Sequence, residues 1–316
     1  MWPTAPTHRG GPAGAPPLPS ITFEHAWREY RRAEARLPAK PPVVRPERLP
    51  GIGAILDRFD LVILDAWGVL NLGDTPIPRA QAVVRDLRRR GVPLTVLSND
   101  ASGDKAQAVA THRRRGYDFT AEEIVSGLDL LPETLARLAL PAPLGLIADP
   151  PAPMAQLTSG MIPLEDEAAT YEKPSGVAFL SSGGWTEARQ RHLHETLRRR
   201  PRPLIVCNPD IASPEGDMLN AEPGYYAHRI ADETAVVPIL CGKPERAIYA
   251  RALARFPALR PERVLCVGDT LHTDILGARA AGCRAMLVEE GFCAGRDALA
   301  LAADCGISPD FIAPGI

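Results

Sequence analysis

The chain has 316 residues, 45% hydrophobic and 23% charged, enough to build a sizeable core and to fill two compact units. Its 36 Lys and Arg stand against 38 Asp and Glu, a formal net charge of -2, so no global basic field points to nucleic acid or an anionic membrane as a partner. No apolar run is long enough to cross a bilayer, and the six cysteines include no CxxC pair, which indicates a reducing cytoplasm and no structural metal cluster.

The start, MWPTAPTHRGGPAGAPPLPS, is rich in Pro, Gly and Ala and lacks the apolar segment and cleavage pattern of a secretory signal, so a flexible tail is expected over residues 1–20. A short amphipathic helix carrying Trp27 and Tyr30 is expected over 23–37, as an arm on the body or on a second subunit. The proline-rich LPAKPPVVRPERLP that follows breaks regular structure.

At 59–72, FDLVILDAWGVLNL, an apolar β-branched run ends in Asp65 and is followed by Gly68, which reads as a buried parallel strand feeding a loop. Pro78 suits the first turn of a helix through AQAVVRDLRRR, which Gly91 ends. A strand over 92–97 places Ser98, Asn99 and Asp100 at its carboxyl end; a helix over 104–115, a short strand over 122–126 and a helix over 128–138 follow. Alternation of this kind predicts an α/β fold with a doubly wound parallel sheet.

From about 141 the texture changes. The strand signals LGLIA, GVAFLS and PLIVCN and the helix WTEARQRHLHETLRRR form an α/β unit of their own, expected to be inserted over 141–236. The first pattern resumes with a helix over 245–256, a strand over 264–267 ending at Gly268 and Asp269, a helix over 275–281, a strand over 284–288, a helix over 297–303 and an irregular close.

Asp65, Ser98 with Asn99, Lys243, and Asp269 with Asp274 in GDTLHTD are therefore candidates for one site, because three of these signals follow strands and a parallel sheet gathers strand ends at one edge. Carboxylates held close repel unless a cation joins them, and Mg²⁺ takes oxygen ligands while leaving room for a phosphate. A carboxylate can attack phosphorus to give an aspartyl-phosphate. Ser98 and the backbone at Asn99 can donate to phosphoryl oxygens, and Lys243 can offer them positive charge. Each signal alone is also explained by a turn, a helix cap or a solvated loop.

The fragments LDAWGVL, LSND, GKPERAIY and GDTLHTDILGARAAG resemble the four motifs of the haloacid dehalogenase (HAD) superfamily, class IIA, the p-nitrophenyl-phosphatase-like branch, in a subgroup with Trp in place of the second Asp of the first motif. The resemblance runs from about residue 49 to the carboxyl terminus. It implies a HAD core over 49–140 and 237–316, with a cap inserted over 141–236. It further implies Asp65 as nucleophile and Mg²⁺ ligand, Ser98 and Asn99 as phosphate ligands, Lys243 as charge partner, and Asp269 and Asp274 at the metal. Asn208 and Asp210 in VCNPDIAS match a cap segment that approaches the site, and a homodimer through the cap is suggested.

One departure matters. The family's usual DxDGxL has a second Asp that protonates the leaving group and then activates water, and here that position is Trp67. An indole cannot do either, although its backbone carbonyl can still bind Mg²⁺. His272, Asp74 and Asp100 are the residues weighed as replacements. The expectation is an Mg²⁺-dependent phosphatase of a small phosphorylated metabolite; the alternatives are a HAD-fold protein that binds a phosphorylated ligand or a protein with little catalysis, and a different chemistry such as dehalogenation on the same nucleophile.

Overall fold

The computed structural model describes residues 20–149, 160–215 and 218–316. The expected tail lies almost wholly outside these residues.

Seven parallel strands form the larger sheet, in the order Glu47–Arg48, Phe311–Ala313, Arg284–Val288, Val264–Gly268, Leu61–Leu64, Leu94–Ser98 and Ile124–Ser126. Side chains alternate across it. Leu61, Ile63, Leu97, Cys266 and Leu287 enter one buried cluster, while Val62, Leu64, Val96, Val267 and Met286 enter the other. From Leu61–Leu64 the chain winds outward through Leu94–Ser98 to Ile124–Ser126, and it returns on the other flank at Val264–Gly268. The order therefore reverses between the two central strands, the point at whose carboxyl ends sheets of this kind bind ligands.

The helix Pro78–Arg90 forms as its sequence dictates. Proline opens it, Ala80, Val84 and Leu87 present one buried stripe, and Gly91 closes it in the left-handed region at φ 66°.

A second parallel sheet of five strands runs Ile239–Leu240, Leu204–Val206, Val177–Phe179, Leu144–Ile147 and Met161–Pro163. Ile239–Leu240 was expected in the resumed first unit, after 236. It instead pairs with Leu204–Val206, because its backbone completes that edge before the chain crosses back at Cys241.

Several elements add to those expected, and the expected amino-terminal helix forms as an arm on the body. The irregular close contains the strand Phe311–Ala313, paired between Arg284–Val288 and Glu47–Arg48. A helix, Pro223–Glu233, covers the second sheet, and the hairpin Ala212–Glu215 with Met218–Ala221 extends from it. The amino-terminal arm has a helix, Phe23–Ala33, packed against both units, with Ser20–Ile21 adding a strand to that hairpin.

Leu87 is fully buried and Leu299 is 43% exposed. Leu87→Ala is expected to lower unfolding stability by about 2–5 kcal/mol and Leu299→Ala by less than about 0.5 kcal/mol, read from urea unfolding midpoints.

Candidate active site

Asp65 follows the last residue of Leu61–Leu64, and Asp269 follows Val264–Gly268, the strand paired beside it. Asp65 N donates to the Val267 carbonyl at 2.9 Å, which fixes the two strand ends side by side. Asp274 comes from the π-helical turn Leu271–Ile275, its Oδ2 accepting from Thr270 N at 3.1 Å. One carboxylate oxygen from each of Asp65, Asp269 and Asp274 lies within 4.8 Å of the others, and all three residues are buried.

Lys243 enters this cluster from the segment that returns from the second sheet. Its Nζ donates to Asp65 Oδ1 at 2.5 Å and to Asp274 Oδ1 at 2.7 Å. Burial alone would push the ammonium toward neutrality; the charges of Asp274, Asp65 and Asp210 outweigh it and hold the pKa well above the ordinary lysine value. Asp65 is driven the other way. Desolvation raises its carboxyl well above the usual range despite Lys243, and Asp274 and Asp269 add to the rise.

Asp269 is held by its surroundings. Its Oδ2 accepts from Phe292 N at 2.7 Å and its Oδ1 from the Thr270 hydroxyl at 2.8 Å. Burial, followed by the charge of Asp274, pushes its pKa up to about 7. Gly68, at φ 84°, lies directly over it, and a Cβ there would stand 1.8 Å from Asp269 Oδ2. Only glycine gives both the left-handed turn and the close approach.

This donor set fits a divalent cation. Three carboxylates converge with one lysine bonded to two of them, and burial, with the charge of Asp274 added, raises the carboxyls of Asp65 and Asp269, a load that a hard ion with oxygen ligands would relieve. Asp65, Asp269 and Asp274 would hold it, with the Trp67 carbonyl as a candidate fourth ligand from the loop after Asp65.

Ser98 ends the strand Leu94–Ser98 and is buried, its Oγ accepting from Asp100 N at 3.1 Å. The Asn99 side chain turns to the protein rather than outward. Its Oδ1 accepts from Lys243 N at 2.7 Å, and its Nδ2 donates to the Lys243 carbonyl at 3.2 Å and to Asp210 Oδ1 at 2.9 Å. Asn99 thus grips the backbone of Lys243, leaving its own backbone as the group that could meet a phosphate.

Asn208 and Asp210 divide their work. Asn208 Oδ1 accepts from Asp210 N at 3.1 Å in a tight turn, and its Nδ2 donates to Glu222 at 3.0 Å. Asp210 alone reaches the first unit. Burial raises its pKa to about 6, against the lowering effect of Lys243.

The three residues considered for the acid role are each engaged by other groups. His272 is fully buried with Nε2 3.0 Å from Glu34 and its ring stacked on Tyr30, so it belongs to the arm contact. Asp74 accepts from Arg115 at 2.8 Å, and Asp100 Oδ1 accepts from Ser102 N at 3.0 Å and Oγ at 2.6 Å. Trp67 lies under the guanidinium of Arg115, 5.4 Å from the ring centre, and Arg115 is itself buried and donates to Asn71 at 3.3 Å.

Sequence reasoning missed the Phe292 amide, although Gly291 shortly after the strand Arg284–Val288 was a signal for it. It also missed the grip of Asn99 on Lys243, which no local pattern carries.

Residues 62–142 match a family model described as haloacid dehalogenase-like hydrolase, and residues 240–316 match one described as HAD-hydrolase-like. Human glycerol-3-phosphate phosphatase is 26% identical over 266 residues, covering 75% of this chain and 81% of its own. The structure of 4-nitrophenylphosphatase from Thermotoga maritima superposes with a TM-score of 0.66 at 23% identity, covering 83% of this chain and 96% of that one. A glycerol phosphate phosphatase from Mycobacterium tuberculosis in complex with magnesium gives a TM-score of 0.59 at 24% identity, covering 74% and 68%. The fold is that of the HAD superfamily, a doubly wound α/β core carrying a second α/β unit.

Burial raises the carboxyls of Asp65 and Asp269, and among the described residues Lys243 is the cation bonded to the cluster, so a divalent cation displaces protons on binding. Mg²⁺ affinity is expected to weaken about tenfold or more as pH falls from about 8 to about 6, with proton release seen calorimetrically in buffers of differing ionisation enthalpy. A pH-independent affinity would contradict the site.

Proposed function

We propose that this chain is a magnesium-dependent phosphatase of HAD class IIA that hydrolyses a small phosphorylated metabolite through an aspartyl-phosphate on Asp65. The observation that carries the reading is the cluster of Asp65, Asp269 and Asp274 around Lys243 at the carboxyl ends of the two central strands. The phosphatase names of the relatives and the magnesium in one of their structures support it.

Asp65, Asp269, Asp274 and the Trp67 carbonyl would hold magnesium, which would supply charge neutralisation to the phosphoryl group. Asp65 attacks phosphorus with a carboxylate oxygen, the bond to the leaving oxygen breaks, and the leaving group departs with that electron pair. Lys243 keeps one oxygen of Asp65 fixed and brings positive charge beside the phosphoryl oxygens, while the Ser98 hydroxyl and the backbone at Asn99 donate to them. Water then attacks phosphorus, the bond from phosphorus to the Asp65 oxygen breaks with its electron pair returning to the carboxylate, and the proton of the water leaves with the phosphate or to solvent. The second unit, expected over 141–236 and extended to Leu240 by its edge strand, acts as a cap that shields the site, with Asp210 meeting Asn99 of the core. The reaction takes place in the cytoplasm, on a free metabolite rather than on nucleic acid or membrane, with a homodimer formed through the cap.

Trp67 favours a second reading, a HAD-fold protein that binds a phosphorylated ligand or a protein partner with little turnover. Held beneath Arg115, Trp67 stands at the motif position of the family's acid, and an indole cannot protonate a leaving oxygen.

Phosphate release from p-nitrophenyl phosphate and from phosphorylated metabolites separates the two. Turnover that needs Mg²⁺, is lost with chelator and falls by a factor of about 10³ or more in Asp65→Asn is the expected result. Ligand binding without turnover would establish the second reading.

The position of Trp67 generates another expectation. Trp67→Asp should raise turnover of an alkyl phosphate such as glycerol phosphate by about 10²-fold while changing that of the p-nitrophenyl ester far less, since p-nitrophenolate leaves without protonation.

A further inference from the structure

The reaction described above makes no use of the arm that precedes the core, yet this segment touches both units beside the site. Toward the core, Trp27 Nε1 donates to Asp304 at 2.9 Å, Phe23 packs on Phe292 with ring centres 5.1 Å apart, and Tyr30 stacks on His272 at 4.9 Å. Toward the second unit, Arg32 and Arg36 both hold Asp232, with the Arg32 contact at 3.0 Å. Ser20–Ile21 pairs with Met218–Ala221 in the same direction. Ala26, Tyr30 and Ala33 are buried along one face of the helix Phe23–Ala33. They lie in a single apolar cluster with Leu97 and Leu287 of the core and Ile205 and Ile211 of the second unit.

Within this contact one atom has a partner that packing alone does not require. The Tyr30 hydroxyl accepts from Ile211 N at 3.2 Å, and both residues are buried. A phenylalanine would fill the same space without placing a hydroxyl in an apolar cluster, so the oxygen is explained by the amide it satisfies. Ile211 follows Asp210, Asp210 accepts from Asn99, and Asn99 holds both backbone polar groups of Lys243. Lys243 in turn lies on Asp65 and Asp274.

We infer that Tyr30 is a positioning residue: carried on an arm that straps the two units together, its hydroxyl fixes the 208–211 crossover so that Asp210 and Asn99 hold Lys243 against the nucleophile. The kinetic part of this rests on the phosphatase reading; the structural part does not.

Hydrogen exchange on the full chain tests it, comparing the native protein with Tyr30→Phe, which keeps the ring. Exchange is expected to quicken about tenfold in peptides covering 208–213 and 241–245, the factor one buried hydrogen bond typically controls. With p-nitrophenyl phosphate and Mg²⁺, kcat should fall about tenfold with KM within about twofold of native, since the loss lies in placing Lys243 rather than in binding. Unchanged exchange at 241–245, or an unchanged kcat in an active enzyme, overturns the assignment. Should Tyr30→Phe fail to fold, Asp232→Ala keeps the tyrosine but frees Arg32 and Arg36, which loosens the strap and with it the phenol's hold on Ile211. Faster exchange at 208–213 and 241–245 then supports the inference, and a change confined to 20–36 overturns it. If the native chain turns over no phosphoester, the phosphatase reading falls while exchange still decides the role of Tyr30.

Discussion

Two buried carboxylates, Asp65 and Asp274, share the ammonium of Lys243, and the rest of the site is arranged around keeping that contact. None of the three charges could be held away from water alone, because desolvating an unpaired ion costs several kcal/mol or more, roughly what an entire domain has in reserve. The pairing is possible because two strand ends lie side by side and a third segment returns to them. Glycine permits the approach. A Cβ at Gly268 would stand 2.1 Å from Asp274 Cγ, and one at Gly242 would stand 2.3 Å from Asn99 Oδ1. Asn99 then locks the backbone from which Lys243 projects.

The same contact couples the two units. Lys243 lies where the chain leaves the second sheet after Ile239–Leu240, and Asp210 lies just after the neighbouring strand Leu204–Val206. Both crossovers therefore end in the site, and any displacement of one unit against the other is felt at Asp65. The arm closes this junction from outside, burying Tyr30 in an apolar cluster that runs through core, second unit and arm.

Trp67 stands apart from this economy of charge. Its ring meets the guanidinium of Arg115, which is anchored by Asn71 and Asp74 in the loop that Trp67 itself begins. The substitution is thus built into a buried polar arrangement of its own. The cluster of Asp65, Asp269 and Asp274 with Lys243 stands complete beside it.

The sequence by itself determined the alternation of strands and helices, the placement of Asp65, Ser98 and Asp269 at strand ends and the change of texture after residue 141, because periodicity, strand-end polarity and proline or glycine punctuation are local properties. Short elements escaped it. Two-residue strands such as Glu47–Arg48 and Ser20–Ile21 carry no period and exist only because a neighbouring edge offers hydrogen bonds. His272 showed the same limit in the site: its place beside GDTLHTD made it a candidate acid, and the structure buries it against Glu34 and Tyr30. Only the tertiary structure decided that Asn99 spends its side chain on Lys243 and Asp210, and that a tyrosine 181 residues from Ile211 satisfies its amide. Those contacts join groups far apart in the chain, and their partners are chosen by the crossing of two units that no single stretch of sequence describes.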